Sequence, residues 1–237
     1  MTLILPKILD IPDKLLSLIE RFNDYRYFII KGGRGGGKSQ SLGRFFLYLC
    51  EKYRLRAVCG RETQNSISES VYSLLADLIR EFQINFDIAA SKISSKVTES
   101  TINFRGFREQ GAFNIQGMEG VDVLWIDEAQ ALTKQTLDVL IPTIRKENAK
   151  IIFTMNPHVH NDPVIVMLAK RADCLVIDIN FDENPFCPVA LKKEAEECRK
   201  LSEKDYEHIW LGKPLDQSED SLYSLEDFEI GKRSAHA

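Results

Sequence analysis

The stretch Tyr27-Phe-Ile-Ile-Lys-Gly-Gly-Arg-Gly-Gly-Gly-Lys-Ser-Gln40 leaves the chain few ways to fold. A short apolar run enters a glycine-rich loop, and a helical run from Ser41 to Tyr53 leaves it. Gly32, Gly37, Lys38 and Ser39 match the phosphate-loop pattern G-x-x-x-x-G-K-[ST], with the strand and helix that the pattern needs on either side. Gly32, Gly33, Gly35, Gly36 and Gly37 accept positive φ at little steric cost, so successive N–H groups turn inward around a polyphosphate. Lys38 supplies a point charge for the β and γ phosphates, and the Ser39 hydroxyl is a ligand for Mg²⁺. Gln40 follows them at the start of the helix, whose N-terminal dipole favours the same anion. A flexible turn that happens to precede a lysine is the plain alternative, and the two flanks argue against it.

A second apolar run, Val123 to Ile126, ends in adjacent carboxylates, Asp127 and Glu128. It is short enough for a buried strand, and this is the form of a Walker B element. Asp127 would hold Mg²⁺ through water opposite Ser39, and Glu128 would polarise the water that attacks a γ-phosphate. Adjacent acids also occur as simple strand caps. Their place about 90 residues after the phosphate loop, with another strand and helix between, favours the catalytic pair.

Leu55 to Gly60 is that intervening strand, followed by Arg61-Glu-Thr-Gln-Asn-Ser66. Ser66 is a candidate N-cap for a helix carrying Ile67, Val71, Leu74, Leu75, Leu78 and Ile79. Ligands of open α/β sheets sit at the carboxyl ends of strands, so Arg61 is either a phosphate or DNA contact or a solvated loop arginine. Ser91–Lys96 and Ser100–Arg105 read as a hairpin, and residues 106–120 as a loop. Arg105 and Arg108 are then candidate DNA or phosphate contacts, or ordinary surface charges. Thr133 caps a helix to about Lys146, with Pro142 as a kink or early stop. Lys150 to Pro157 is the next buried strand, ending at Thr154 and Asn156, where helicase-like ATPases sense the γ-phosphate. An Asn-Pro turn is the local alternative. His158 and His160 have no third metal ligand nearby and read as loop histidines. Cys174–Ile179 is one more strand, and helices over about 188–201 and 202–211 end at Gly212. Ahead of the loop, a short helix over Asp13–Phe22 leads to Asn23–Arg26, where Tyr25 or Arg26 either meets an adenine or is an ordinary loop residue.

A length of 237 residues, 44% hydrophobic and 28% charged, fits one large soluble domain or one domain with a small appendage. The formal charge of −4 argues against autonomous, tight nucleic-acid binding, so DNA contacts are local or shared with other subunits. Five cysteines without C-x-x-C spacing indicate free thiols rather than disulfides or zinc. No run approaches the ~18 apolar residues of a membrane span, and the N-terminus lacks a signal peptide's features, so the expected location is the cytoplasm.

Gly32-Gly-Arg-Gly-Gly-Gly-Lys-Ser39, Arg61-Glu-Thr-Gln-Asn-Ser66, Val123-Leu-Trp-Ile-Asp-Glu-Ala-Gln130, Thr154-Met-Asn-Pro157 and Ile209-Trp-Leu-Gly-Lys-Pro214 occur in this order. Together they resemble the N-terminal ATPase domain of the large terminase subunit of tailed double-stranded DNA bacteriophages. The resemblance covers essentially the whole chain. It implies an ATP- and Mg²⁺-dependent motor that drives double-stranded DNA through a portal into a preformed capsid, in the host cytoplasm. It implies as partners the portal protein, the small terminase subunit, further copies in a ring and a C-terminal nuclease domain. It makes Lys38 and Ser39 the phosphate and metal residues, Asp127 the Walker B acid, Glu128 the catalytic carboxylate and Thr154 to Asn156 the coupling motif. Arg34 stands where terminases carry an arginine proposed to act on the γ-phosphate.

The expected fold is a mostly parallel α/β sheet, a P-loop NTPase of the additional-strand, RecA/helicase-like class, with an extra strand between the Walker A and Walker B strands contributed by the unit at residues 55–82. Residues 1–24 form a lead-in, 25–187 the core, and 188–237 a helical linker subdomain and tail, without the nuclease domain. A monomeric, slow ATPase that binds DNA poorly is expected of this part alone. A helicase shares the core but needs a second RecA-like domain; a non-hydrolysing nucleotide scaffold has no need of Glu128.

Overall fold

Strands made of continuous apolar runs, with no polar face, must be covered on both sides, and a parallel sheet between helical layers does this. The structure, a computed structural model, describes residues 6–62, 71–107 and 117–215. Its strands are β1 (Tyr27–Lys31), β2 (Arg56–Arg61), β3 (Phe86–Ala89), β4 (Lys92–Ser95), β5 (Thr101–Gly106), β6 (Val123–Ile126), β7 (Lys150–Met155) and β8 (Cys174–Asp178). They form one eight-stranded sheet in the order β3-β4-β5-β2-β6-β7-β1-β8. From β5 to β8 all pairings are parallel; β3, β4 and β5 pair antiparallel at one edge.

Alternate residues of each strand feed opposite cores. Phe28, Ile30, Cys59, Trp125 and Ile152 face a layer that includes α1 (Asp13–Glu20), α2 (Lys38–Lys52) and α3 (Ser73–Phe82). Tyr27, Ile29, Leu124, Ile126 and Phe153 face α4 (Lys134–Thr143) and α5 (Pro163–Leu168). Thr133 caps α4 by accepting from the Thr136 N–H, and the helix stops at Thr143, one residue past Pro142, earlier than Lys146. The expected hairpin is β4 on β5, with β3 added outside it. Ser66, Ile67 and Arg108 lie outside the described residues, as does the tail from Asp216.

One expectation changes in its reason. A strand does separate β1 from β6, but it is β7, which follows the Walker B strand in sequence. The unit at residues 55–82 lies on the far side of β6, where β2 pairs with it. A second expectation is overturned. Arg26 precedes β1, at the end of the sheet away from the phosphate loop, where its guanidinium donates to the Ile144 carbonyl and to the Tyr27 hydroxyl at 3.2 Å. Tyr25, beside it, accepts from Arg21 and packs edge-on against Phe28. β1, at about 3.3 Å per residue, separates both from any nucleotide on the loop.

After β8 the chain turns back over the outside of the phosphate loop, then runs through α6 (Val189–Leu201) and α7 (Glu203–Ile209). The Arg34 N–H donates to the Ile209 carbonyl at 2.8 Å. A Cβ on Gly33 would lie 2.0 Å from the Trp210 carbonyl oxygen, and Gly212, at φ +64°, lies against the backbone of Gly32 and Gly33. The glycines at 33 and 212 are thus what allows two backbones to touch. Gly33→Ala should therefore displace the 209–212 segment and lower stability by about 1–3 kcal/mol, read by thermal unfolding.

Candidate active site

The loops that leave β1, β2, β6 and β7 at their carboxyl ends meet around one cavity of about 530 Å³. In an open parallel sheet this edge is where ligands bind. Its wall includes Arg34 to Gln40, Arg61, Asp127, Glu128, Gln130 and Thr154 to Asn156. The sequence separates these groups widely, and register brings them together. Ile126 pairs with Phe153 across β6 and β7, so Asp127 and Thr154 come next to each other at the two strand ends.

The buried Asp127 carboxylate is the centre of the site. Its Oδ1 accepts from the Ser39 hydroxyl at 2.9 Å and the Thr154 hydroxyl at 2.7 Å. Thr154 Oγ1 in turn accepts from the indole N–H of the fully buried Trp125 at 2.9 Å, so its one proton goes to Asp127. Asp127 Oδ2 accepts from Arg61, Nη2 at 2.9 Å and Nε at 3.3 Å. Arg61 also reaches Glu128 Oε1 at 2.7 Å. It is therefore a buried partner of both acids rather than a solvated loop residue.

Glu128 sits at φ +53°, ψ +43°, a left-handed conformation that costs a non-glycine residue of order 1 kcal/mol. The turn brings its side chain, 56% exposed, to the cavity while Ala129 goes into the core. Arg34 is exposed and also lines the cavity. Gln130 Oε1 accepts from the Asn156 N–H at 3.3 Å and braces the end of β7. Gly37, at φ +74°, lets the loop turn into α2 with Lys38 as the first helical residue. The Lys38 ammonium donates to the carbonyls of Gly32 at 2.8 Å and Gly33 at 2.6 Å.

Ser39 Oγ and Asp127 Oδ1 are hard oxygen donors in direct contact, a set that fits Mg²⁺, which takes one or two protein oxygens and completes its shell with water and phosphate. Among the described residues no cluster of three metal-binding side chains exists, and His158 instead stacks edge-on against His208. Arg105 is exposed at the end of β5 and does not line the cavity. Sequence reasoning assigns no role to Trp125, to Gln130, or to Asn184, whose side-chain amide donates to the Gly35 carbonyl at 2.7 Å from behind the loop. A tryptophan inside an otherwise aliphatic strand was the available signal, because a buried indole N–H needs an acceptor.

The model of a family described as phage terminase large subunit matches residues 24–213. The chain belongs to this family. It is 23% identical over 205 residues to the large terminase subunit of Bacillus phage SPP1 and spans about half of that relative's length, 49%. Among solved structures, the large terminase of a thermophilic bacteriophage in complex with ADP matches with a TM-score of 0.72 at 15% identity, over 85% of this chain and 53% of that one. The ATPase domain of the Thermus phage P74-26 large terminase matches with a TM-score of 0.55 at 13% identity, over 78% of this chain and 87% of that one. The terminase ATPase fold and the P-loop site described above thus coincide in one chain.

Two outcomes follow from the geometry around Asp127 and Lys38. Thr154→Val keeps the shape but leaves the Trp125 N–H without its acceptor and Asp127 with one donor fewer; denaturant unfolding should show a loss of about 1–3 kcal/mol. Burial holds the Lys38 ammonium at about 8, below the ordinary 10.5, although Asp127 and Asp178 pull it upward. Because the folded value is the lower one, charged Lys38 costs stability below pH 8, and that cost fades as pH rises from about 8 toward 10.5. A polyphosphate beside Nζ favours the charged form. ATP binding should then take up a proton above pH 8 and weaken as pH rises, which calorimetry in buffers of different ionisation heat measures.

Proposed function

We propose that the chain is an ATP-hydrolysing motor domain of the DNA-packaging terminase type. The observation that carries this is the junction of Ser39, Asp127 and Thr154 on one carboxylate, with Lys38 and Glu128 lining the same cavity. A scaffold that only held nucleotide would need the phosphate loop, but not an acid turned into the cavity at the cost of a left-handed backbone.

In this reading the loop's N–H groups and Lys38 bind the β and γ phosphates. Ser39 and Asp127 hold Mg²⁺, which neutralises charge on the phosphate oxygens when bound. Glu128 orients a water and accepts its proton. Arg34, at the cavity wall of its own chain, brings positive charge to the transferring phosphoryl group. Thr154 and Asn156, at the end of β7, sense whether the γ-phosphate is present: Thr154 through Asp127, Asn156 from the cavity wall.

DNA translocation, docking on a portal, contact with a small terminase subunit, a ring of copies and cooperation with a nuclease domain belong to the same proposal and rest on family membership. So does a location in the host cytoplasm. Among the described residues no helix is long and apolar enough to cross a membrane.

ATP turnover tests the catalytic assignment. Glu128→Gln should bind ATP as the parent does while its turnover falls about 10²- to 10⁴-fold, the usual contribution of a general base. Turnover at the parent rate would remove Glu128 from the mechanism.

A further inference from the structure

Behind the phosphate loop, outside the wall of the catalytic cavity, the short 3-10 turn Phe181–Glu183 stands between two asparagines, Asn180 and Asn184. Their amides meet the loop with opposite polarity. Asn180 Oδ1 accepts from the Gly33 N–H at 2.7 Å, and Asn184 Nδ2 donates to the Gly35 carbonyl at 2.7 Å. We infer that these two side chains are positioning residues for ATP binding, which fix the direction that the loop's peptides face. The inference rests on the phosphate-binding reading of that loop.

The carbonyl and the N–H of a trans peptide point in opposite directions, so holding one aims the other. With the Gly35 carbonyl drawn back to Asn184, the Gly36 N–H of the same peptide is turned toward the cavity that Gly36 lines. Among the described residues that N–H makes no hydrogen bond, which leaves it for an anion. The Gly32–Gly33 peptide is held at both ends: its carbonyl accepts from Lys38, and its N–H donates to Asn180. Peptides between glycines flip at little steric cost. Without the two amides only a fraction of the loop would face the phosphates correctly, and apparent affinity falls by that fraction.

Asn184 is buried against the loop, and a Cβ on Gly37 would lie 2.9 Å from its Nδ2. Its Oδ1 accepts from the Phe186 N–H at 3.0 Å, which fixes the end of the amide that faces Gly35. The turn is in turn tied to α1. Lys14 donates to Glu183 Oε1, and Glu183 Oε2 accepts from the Asn180 N–H at 3.2 Å. α1 precedes residue 24, where the family match begins, so the tie from Lys14 to the loop comes from this chain's own contacts.

Calorimetric titration of the parent, Asn184→Asp and Asn180→Asp with Mg²⁺ and either ATP or inorganic tripolyphosphate tests this. Both variants add one carboxylate behind the loop, but only at position 184 is a donor lost. Asn184→Asp should bind both ligands about tenfold or more weaker than Asn180→Asp does, at unchanged stoichiometry. In turnover the loss should fall on KM with kcat kept, because the cradle serves ground and transition states alike. An asparagine with only a structural role would lower the melting temperature or the fraction that binds, and leave KM at the parent value. Lys14→Ala removes an exposed ion pair without touching either amide. It should weaken ATP about two- to fivefold at low salt, and the difference from the parent should vanish near 1 M salt. Equal affinities for the two asparagine variants, or a parent KM in Asn184→Asp, would overturn the positioning role. Should Asn184→Asp fail to fold, Lys14→Ala decides, and parent affinity at low salt would then overturn it. A parent that binds neither ATP nor tripolyphosphate would remove the ATPase reading itself.

Discussion

A carboxylate taken out of water must find donors for both oxygens or give up its charge, and Asp127 meets that demand with groups from three different elements. Ser39 comes from α2, Thr154 from β7 and Arg61 from β2. None of the three is near Asp127 in sequence, so the fold has to run β2, β6 and β7 side by side and bring the first turn of α2 over them. The strand order delivers this arrangement, and the apolar runs on both faces of the sheet hold the order in place. What looks like a catalytic detail is also a condition on the whole core.

The parts of the site that depend on local chemistry were legible in the sequence. Gly37 with positive φ and the Thr133 cap each follow from what those residues do to the chain around them, whereas the helix expected from Ser41 begins three residues earlier, at Lys38. The pair Asp127-Glu128 at the end of a short buried strand was legible in the same way. Where the residues meet was not legible. Nothing within residues 55–82 or 150–155 says which strand lies between β1 and β6, because parallel strands are joined by long crossovers and their order is settled by the packing of both layers. The same limit hid Arg61's role, which exists only because β2 lies beside β6. Arg26 was misplaced for a different reason: a residue just before β1 lies at the strand's amino end, a full strand length from the loop that follows Lys31, and that much the order of the sequence already requires. α5 escaped notice for a simpler reason, since six residues give too little periodicity to read.

The family match and the geometry constrain different things. Membership in the phage terminase large subunit family rests on residues 24–213, and solved terminases at 13–15% identity share the fold. At that distance few side chains are held in common, so the roles of Trp125, Gln130 and Asn184 in this chain come from its own contacts.

The phosphate loop is gripped from outside by the backbone at Ile179 and Trp210 and by the Asn184 side chain. Ile179, Asn184 and Trp210 occupy the space where side chains on Gly32, Gly36, Gly37 and Gly33 would project. A loop so rich in glycine would otherwise lose much conformational entropy when it closes on an anion. Here that ordering is done during folding, so nucleotide binding draws on a preorganised cradle and keeps more of its intrinsic affinity. By the same linkage, whatever loosens the 209–212 segment makes the nucleotide bear the cost of ordering the loop, and affinity then reports on a part of the chain that lies behind the site.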